Sequence, residues 1–327
     1  MKIEQVLVIG GAGFIGRHIV SLLAAQGVRV TVPARRRDRA KHLILLPTVQ
    51  VIEADVNAPG VLEGLVRGCD AVVNLAGVLH SRPAGALSDG GARYGQDFFD
   101  VHVELPQHIV SVCRAAGVKR LLHMSALGAS RDAPSEYLRS KGAGEEALLA
   151  AEDLSVSVFR PSVVFGPEDR FLNLFAQIAA LTPVIALASP DARFRPVYVG
   201  DVAQAFVRAL LDPAAARDST GKRFDLCGSR EYTLRELVKA VCAMAGHRRL
   251  IIGLGSGLSW LQAWVLEHLP GKLLTRDNLN SMRVPSVSEA GLPFGIRATA
   301  LEAVAPLYLS HVAPRERYGL LRHRASR

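Results

Sequence analysis

Cysteine is scarce in this chain of 327 residues: Cys69, Cys113, Cys227 and Cys242 are the only four, and they lie scattered without metal-ligand spacing. No metal centre is expected, and each thiol reads as a small core hydrophobe in a reducing compartment. Uninterrupted apolar runs of the roughly 20 residues that a bilayer span needs are also missing. Phe171–Ala188 is long and nearly uncharged, but Asn173, Gln177, Thr182 and Pro183 interrupt it. Leu258–Leu269 is shorter still and carries Trp260 and Trp264 one helical turn apart. Both segments read as buried helices of a second lobe, with an interfacial helix as the alternative for the tryptophan pair. The N-terminus runs directly into a strand and leaves no room for a signal peptide. The expected setting is cytoplasmic, with a position peripheral to the inner membrane as the variant. Low-complexity tracts and internal repeats are absent too. Net charge is +9, yet the basic residues are dispersed apart from Arg35-Arg36-Arg37-Asp38-Arg39 and the tail from Arg315 to Arg327. No nucleic-acid motif accompanies them, so no nucleic-acid partner is expected and the tail reads as a solvated end.

What is present begins with three glycines. Gly10, Gly13 and Gly16 follow the apolar run Val6–Ile9 and open a segment with apolar residues at Ile15, Ile19, Leu22 and Leu23. Strand, glycine turn and helix in that order make a mechanism. The first glycine permits the turn, the second lets backbone approach a pyrophosphate, and the third lets the helix pack on the strand. The helix N-terminus, at Phe14 and Ile15, offers amide donors and partial positive charge. A dinucleotide ligand is expected.

The first half alternates strand-like and helical patterns. Strands are expected at Val28–Val32, Val49–Glu53, Ala71–Asn74, Leu121–Met124 and Val156–Phe159, and helices at Val101–Ala116 and Tyr137–Ala151. Such alternation predicts an α/β fold, a Rossmann-type doubly wound parallel sheet. The polar, glycine-rich stretch His80–Asp100 reads as an active-site flap. The nucleotide domain is expected over residues 1–228, with 167–195 lent to a smaller substrate-side lobe formed by 229–327.

An acid is missing directly after the second strand, where a carboxylate would hold the adenosine ribose of NAD. Arg35 and Arg36 stand there instead, suited to a 2′-phosphate, so NADP is the expected cofactor and NAD the less favoured one. Asp55 and Val56 follow the third strand, where the adenine edge would lie. Asn74-Leu75-Ala76-Gly77 ends the fourth strand, and the small residues Ala76 and Gly77 let backbone approach the cofactor. Tyr137 and Lys141, four apart, share one helix face. An ammonium beside a phenol is expected to lower the phenol pKa toward working pH, as suits an acid/base that moves a carbinol proton. Ser125, after the strand Leu121–Met124, is placed to bond the same substrate oxygen.

These residues carry a family resemblance. Gly10-Gly11-Ala12-Gly13-Phe14-Ile15-Gly16, Asn74–Gly77, Ser125 and the Tyr137/Lys141 pair resemble the short-chain dehydrogenase/reductase superfamily, in its extended or atypical branch. Arg160-Pro161-Ser162-Val163-Val164-Phe165-Gly166-Pro167 and Pro196–Ala203 match that branch, so the likeness covers roughly residues 3–230. Val101–Glu104, His123–Gly128, Tyr137–Lys141 and Gly166–Phe171 are similar to the group related to the nucleotide-binding accessory subunit of respiratory complex I. The resemblance implies NADP(H) binding at the glycine turn and at Leu75–Gly77, Lys141 and Pro161. Ser125, Tyr137 and Lys141 are its implied catalytic set. His102 departs from the pattern, standing where extended enzymes carry a relay asparagine, and Ile9 replaces a threonine.

Two functions follow as expectations. One is a reductase, dehydrogenase or epimerase acting on a hydroxyl/carbonyl small-molecule substrate. The other is a nucleotide-holding structural or assembly factor of an electron-transfer or quinone-synthesis complex; a redox sensor reporting bound nucleotide is a third reading. A shared face on the helices Val101–Ala116 and Tyr137–Ala151 would make a homodimer.

Overall fold

Runs of β-branched and aliphatic residues buried on both faces are the mark of a parallel sheet covered by helices, and Val6, Leu7, Val8 and Ile9 are all at most 2% exposed. The computed structural model of the protein describes residues 2–82 and 94–310. Seven parallel strands form the sheet: β1 (Gln5–Ile9), β2 (Arg29–Ala34), β3 (Val49–Glu53), β4 (Ala71–Asn74), β5 (Arg120–Met124), β6 (Ser155–Pro161) and β7 (Lys222–Leu226). Their order is β7-β6-β5-β4-β1-β2-β3. Strand order therefore reverses between β1 and β4, and a crevice at such a switch point is where open α/β sheets take ligands.

Helices cover both faces. Leu7, Ile9 and Val72 of the sheet join one apolar cluster with α2 (Val61–Val66), α3 (Leu105–Ala116) and Leu148 of α4 (Glu136–Leu149). On β6 the alternation of the pleat sends Val156 and Val158 into that cluster, while Phe159 packs against Phe206 of α5 (Val199–Leu211) at 4.3 Å between ring centroids, the rings tilted by 38°. α1 (Phe14–Ala25) packs on α5. All four cysteines are buried free thiols.

The expected strands and helices are present with ends shifted by a residue or two, except that Val101–Ala116 is not one regular helix. A π-helical turn spans Asp100–Glu104 and only Leu105 onward is α-helical. Most of the stretch expected to form a flap, at 83–93, lies outside the described residues, as does the basic tail from Arg315.

Two compact units divide the chain. Of the described residues, the first comprises those within 1–161, 199–226 and 290–297, the second those within 162–198, 227–289 and from 298 onward to 310. The second unit takes in 162–198, around the stretch 167–195 expected to lie there, and 290–297 is grouped with the first. Within the second unit, the segment expected to be one buried helix over Phe171–Ala188 is a helix Phe171–Leu181 followed by a strand Val184–Leu187. Pro183, which cannot supply a helical N–H, separates them. That strand pairs in parallel with Leu250–Gly253. A helix spans Ser256–Glu267, but Trp260 and Trp264 are 51% and 44% exposed, so the buried reading of this segment is wrong. Its inward side is lined by the small residues Ser259 and Ala263. No helix among the described residues is long and apolar enough to cross a membrane.

Candidate functional site

The site is built at the C-terminal ends of β1, β4 and β5. Gly10 leaves β1 with φ +79°, a conformation that favours glycine, and a Cβ there would sit 3.0 Å from the Leu75 carbonyl carbon. The turn can therefore lie against the backbone of Leu75 and Ala76, whose chain is tied back by the Leu75 N–H donating to the Ile9 carbonyl at 2.9 Å. Gly16 is buried, and any side chain on it would collide with the Gly10 carbonyl oxygen. Gly13 caps α1 without a side-chain hydrogen bond. The first-turn amides of Phe14 and Ile15 have no acceptor within their own helix, as in any helix. A backbone cradle of this kind, closed to side chains and open to amide donors, fits a dinucleotide pyrophosphate.

Around it the other expected residues fall into two groups. Arg35 and Arg36 follow β2 directly and are exposed; Asp55 follows β3, is exposed, and accepts the Asn57 N–H at 3.1 Å, while Val56 packs against the sheet cluster. The second group is buried. Asn74 takes the Ala76 N–H on its Oδ1 (3.1 Å), which turns its amide nitrogen toward Nδ1 of His123 at 3.2 Å. His123 Nδ1 is then the acceptor, and its protonated Nε2 has no partner among the described residues. Burial pushes this ring far toward its neutral form.

Lys141 is 3% exposed and donates to the Met124 carbonyl at 3.1 Å and to that of Ala76 at 3.5 Å. Its ammonium stands 3.3 Å from where a Gly77 Cβ would be. Burial lowers its pKa to about 8, with Glu145 opposing the shift. Glu145, fully buried one turn along α4, is gripped by Arg160 and by Arg223 at 2.9 Å. Ser125 follows Met124, and its buried hydroxyl has no hydrogen-bond partner among the described residues. Pro161 ends β6, where its carbonyl accepts the Leu127 N–H at 3.0 Å.

Tyr137 corrects an expectation. Its phenol is pushed up to about 12 by burial, not lowered by Lys141, because the desolvation of a phenolate governs this position. His102 lies edge-on to the Tyr137 ring at 5.6 Å. The Val78 N–H donates to its Nε2 (3.1 Å), so Nδ1 carries the proton and donates to Ser140 Oγ at 2.9 Å, which in turn donates to the Tyr137 carbonyl at 2.8 Å. Both ring nitrogens are thus engaged in tying the Gly77-Val78 turn to α4. His123 and Ser140 were missed by sequence reasoning; for His123, in β5, the available signal was a polar residue within a buried strand, whereas Ser140, on α4, carried no such signal. Among the described residues no group of His, Cys, Asp or Glu is arranged to hold a metal ion.

Known proteins agree with this architecture. A bacterial UDP-glucuronic acid 4-epimerase from Bacillus cereus, solved with UDP-glucuronic acid and NAD, superposes with a TM-score of 0.69 at 18% identity, over 94% of this chain and 99% of that one, which shows the fold. The chain is 32% identical to subunit 9 of the NADH dehydrogenase [ubiquinone] 1 alpha subcomplex of Mus musculus, across 90% of this chain and 77% of the relative. It is 34% identical to a ceramide reductase of Caulobacter vibrioides, across 76% and 73% of the two chains. Residues 6–226 match the NAD dependent epimerase/dehydratase family, and the protein, with its seven-stranded parallel sheet and its short-chain dehydrogenase/reductase motifs, belongs to that family.

Proposed function

We propose that the protein binds NADP(H) and reduces a carbonyl, or oxidises the matching hydroxyl, on a lipid-like substrate. The observation that carries this reading is Tyr137 and Lys141 on one face of α4, with the Lys141 ammonium buried beside Gly77 and one residue from Ser125. The glycine cradle and Leu75–Gly77 would hold the pyrophosphate, and Lys141 the nicotinamide ribose. Arg35 and Arg36 would pair with a 2′-phosphate. Bound there, the nicotinamide supplies or accepts hydride. Tyr137, whose phenol is protonated at neutral pH, would donate the proton to the carbonyl oxygen as it is reduced. Ser125 would donate a hydrogen bond to that same oxygen. The ceramide reductase relative supports a lipid substrate.

A second reading is favoured by the engagement of both His102 nitrogens and by the respiratory-complex relatives: a subunit that holds nucleotide without turnover. Following NADPH absorbance with long-chain ketones, ceramide-type lipids included, separates the two. Consumption of NADPH that depends on the ketone supports the reductase. Tight nucleotide binding with no consumption across that panel supports the subunit.

A further inference from the structure

Amphipathic helices of a soluble unit bury their large apolar residues. The helix Ser256–Glu267 does the reverse. Its fully buried residues are Ser259 and Ala263, whereas Leu258, Trp260, Leu261, Trp264 and Val265 are each 44–59% exposed. At 100° per residue those five fall within one arc of the helix that contains no charged side chain. The adjoining strand pair repeats the inversion. Register sets Leu250 opposite Val184 and Ile252 opposite Ala186, and all four face outward, while Ile185 and Leu187 are buried. Gln262 donates to the Ala186 carbonyl at 3.0 Å, which ties helix to strands, and the flanking Leu181, Leu269 and Leu273 are likewise 84%, 50% and 55% exposed.

Charge around this surface is predominantly positive. From Arg248 to Arg276 the cations are Arg248, Arg249, Lys272 and Arg276, and Glu267 is the sole acid. That acid is consumed by Arg276 at 2.6 Å, and the Arg276 guanidinium also lies 5.5 Å over the Trp260 ring. No charged residue occurs between Gln177 and Pro190. A broad apolar face bearing two half-exposed tryptophans, edged by exposed Arg248 and Lys272, matches the boundary between headgroups and acyl chains of an anionic bilayer. A helix of 12 residues is too short to span and long enough to lie in that plane. We infer that this face docks the protein on an anionic lipid surface. The inference goes beyond the proposed reaction and is independent of it.

Trp260 and Trp264 are the only tryptophans in the chain, so selectively excited tryptophan emission reports on this helix alone. The full chain should pellet with vesicles of equal parts phosphatidylcholine and phosphatidylglycerol, with blue-shifted emission. Binding should be at least about tenfold weaker to phosphatidylcholine alone, and weakened by added salt. Leu261→Ser with Val265→Ser keeps both reporters, should lower vesicle affinity at least about tenfold, and should leave the thermal midpoint and nucleotide affinity in place. Protein that stays in the supernatant with unshifted emission overturns the inference. So does a double variant that binds vesicles like the parent. A blue shift that grows with protein concentration without lipid, together with a doubled mass in sedimentation, would make the face a self-association surface and overturn it as well.

Discussion

Two helices of similar length show opposite solutions to burial. α3 puts Leu105, Ile109, Val110, Val112 and Cys113 into the sheet cluster, so its large side chains are spent on the fold. The helix Ser256–Glu267 buries a serine and an alanine and leaves two tryptophans in solvent. The difference teaches where each element takes its stability. α3 is held by apolar contact with its own sheet, whereas the second helix is held by small-residue packing and by bonds such as that of Gln262 to Ala186, leaving its apolar area unspent. The same contrast holds for buried charge: Glu145 is ion-paired with two arginines, whereas the hydrogen bonds of the Lys141 ammonium go to the carbonyl oxygens of Met124 and Ala76.

The largest effect is expected where matching is most complete. Glu145→Ala strands Arg160 and Arg223 beside a vacated buried position and should cost about 3–5 kcal/mol in urea unfolding. Ile109→Ala, in α3, should cost about 2–5 kcal/mol by leaving a cavity. Trp264→Ala should change stability by about 0.5 kcal/mol or less; a cost near that of Ile109→Ala would break the contrast between the two helices.

For Lys141 the comparison becomes a pH dependence. The folded pKa is about 8 against 10.5 for the unperturbed group, so between those values the unfolded chain holds a proton that the folded chain has released. The unfolded state binds more protons there, and stability should rise with pH across that window. Tyr137 acts oppositely, since its folded pKa of about 12 exceeds the ordinary 10, and stability should fall between pH 10 and 12. Lys141→Met should remove the rise and keep the fall, as read by urea unfolding at about pH 8, 9, 10 and 11.5. The exposed end of the site should respond in nucleotide affinity. Arg35→Ala with Arg36→Ala should weaken NADPH by about 1.5–3 kcal/mol per lost contact and leave NADH nearly unchanged, measured by titration at fixed salt.

The parts of this molecule set by local chemistry could be read before its fold was known. Gly10 and Gly16 announce the turn because no side chain can stand where they do, and the strands announce themselves by continuous aliphatic runs. Orientation was harder. Periodicity says that Trp260 and Trp264 share a face, but in a helix apolar nearly all round it does not say which face turns inward. The spacing of Tyr137 and Lys141 gave their shared face as well, but not that the ammonium would bond the Met124 carbonyl, nor that burial would govern the phenol. The π-turn at Asp100–Glu104 and the bonding of His102 to Val78 and Ser140 depend on contacts distant in sequence, which no local pattern encodes.

The central claim rests on the proton of Tyr137, and a single-turnover experiment tests it most directly. With saturating NADPH and the best ketone of the panel, Tyr137→Phe should lower the rate of NADPH oxidation at least about a hundredfold while NADPH affinity stays within about twofold, because the change removes a proton donor and little binding surface. An unchanged rate in Tyr137→Phe would contradict the assignment.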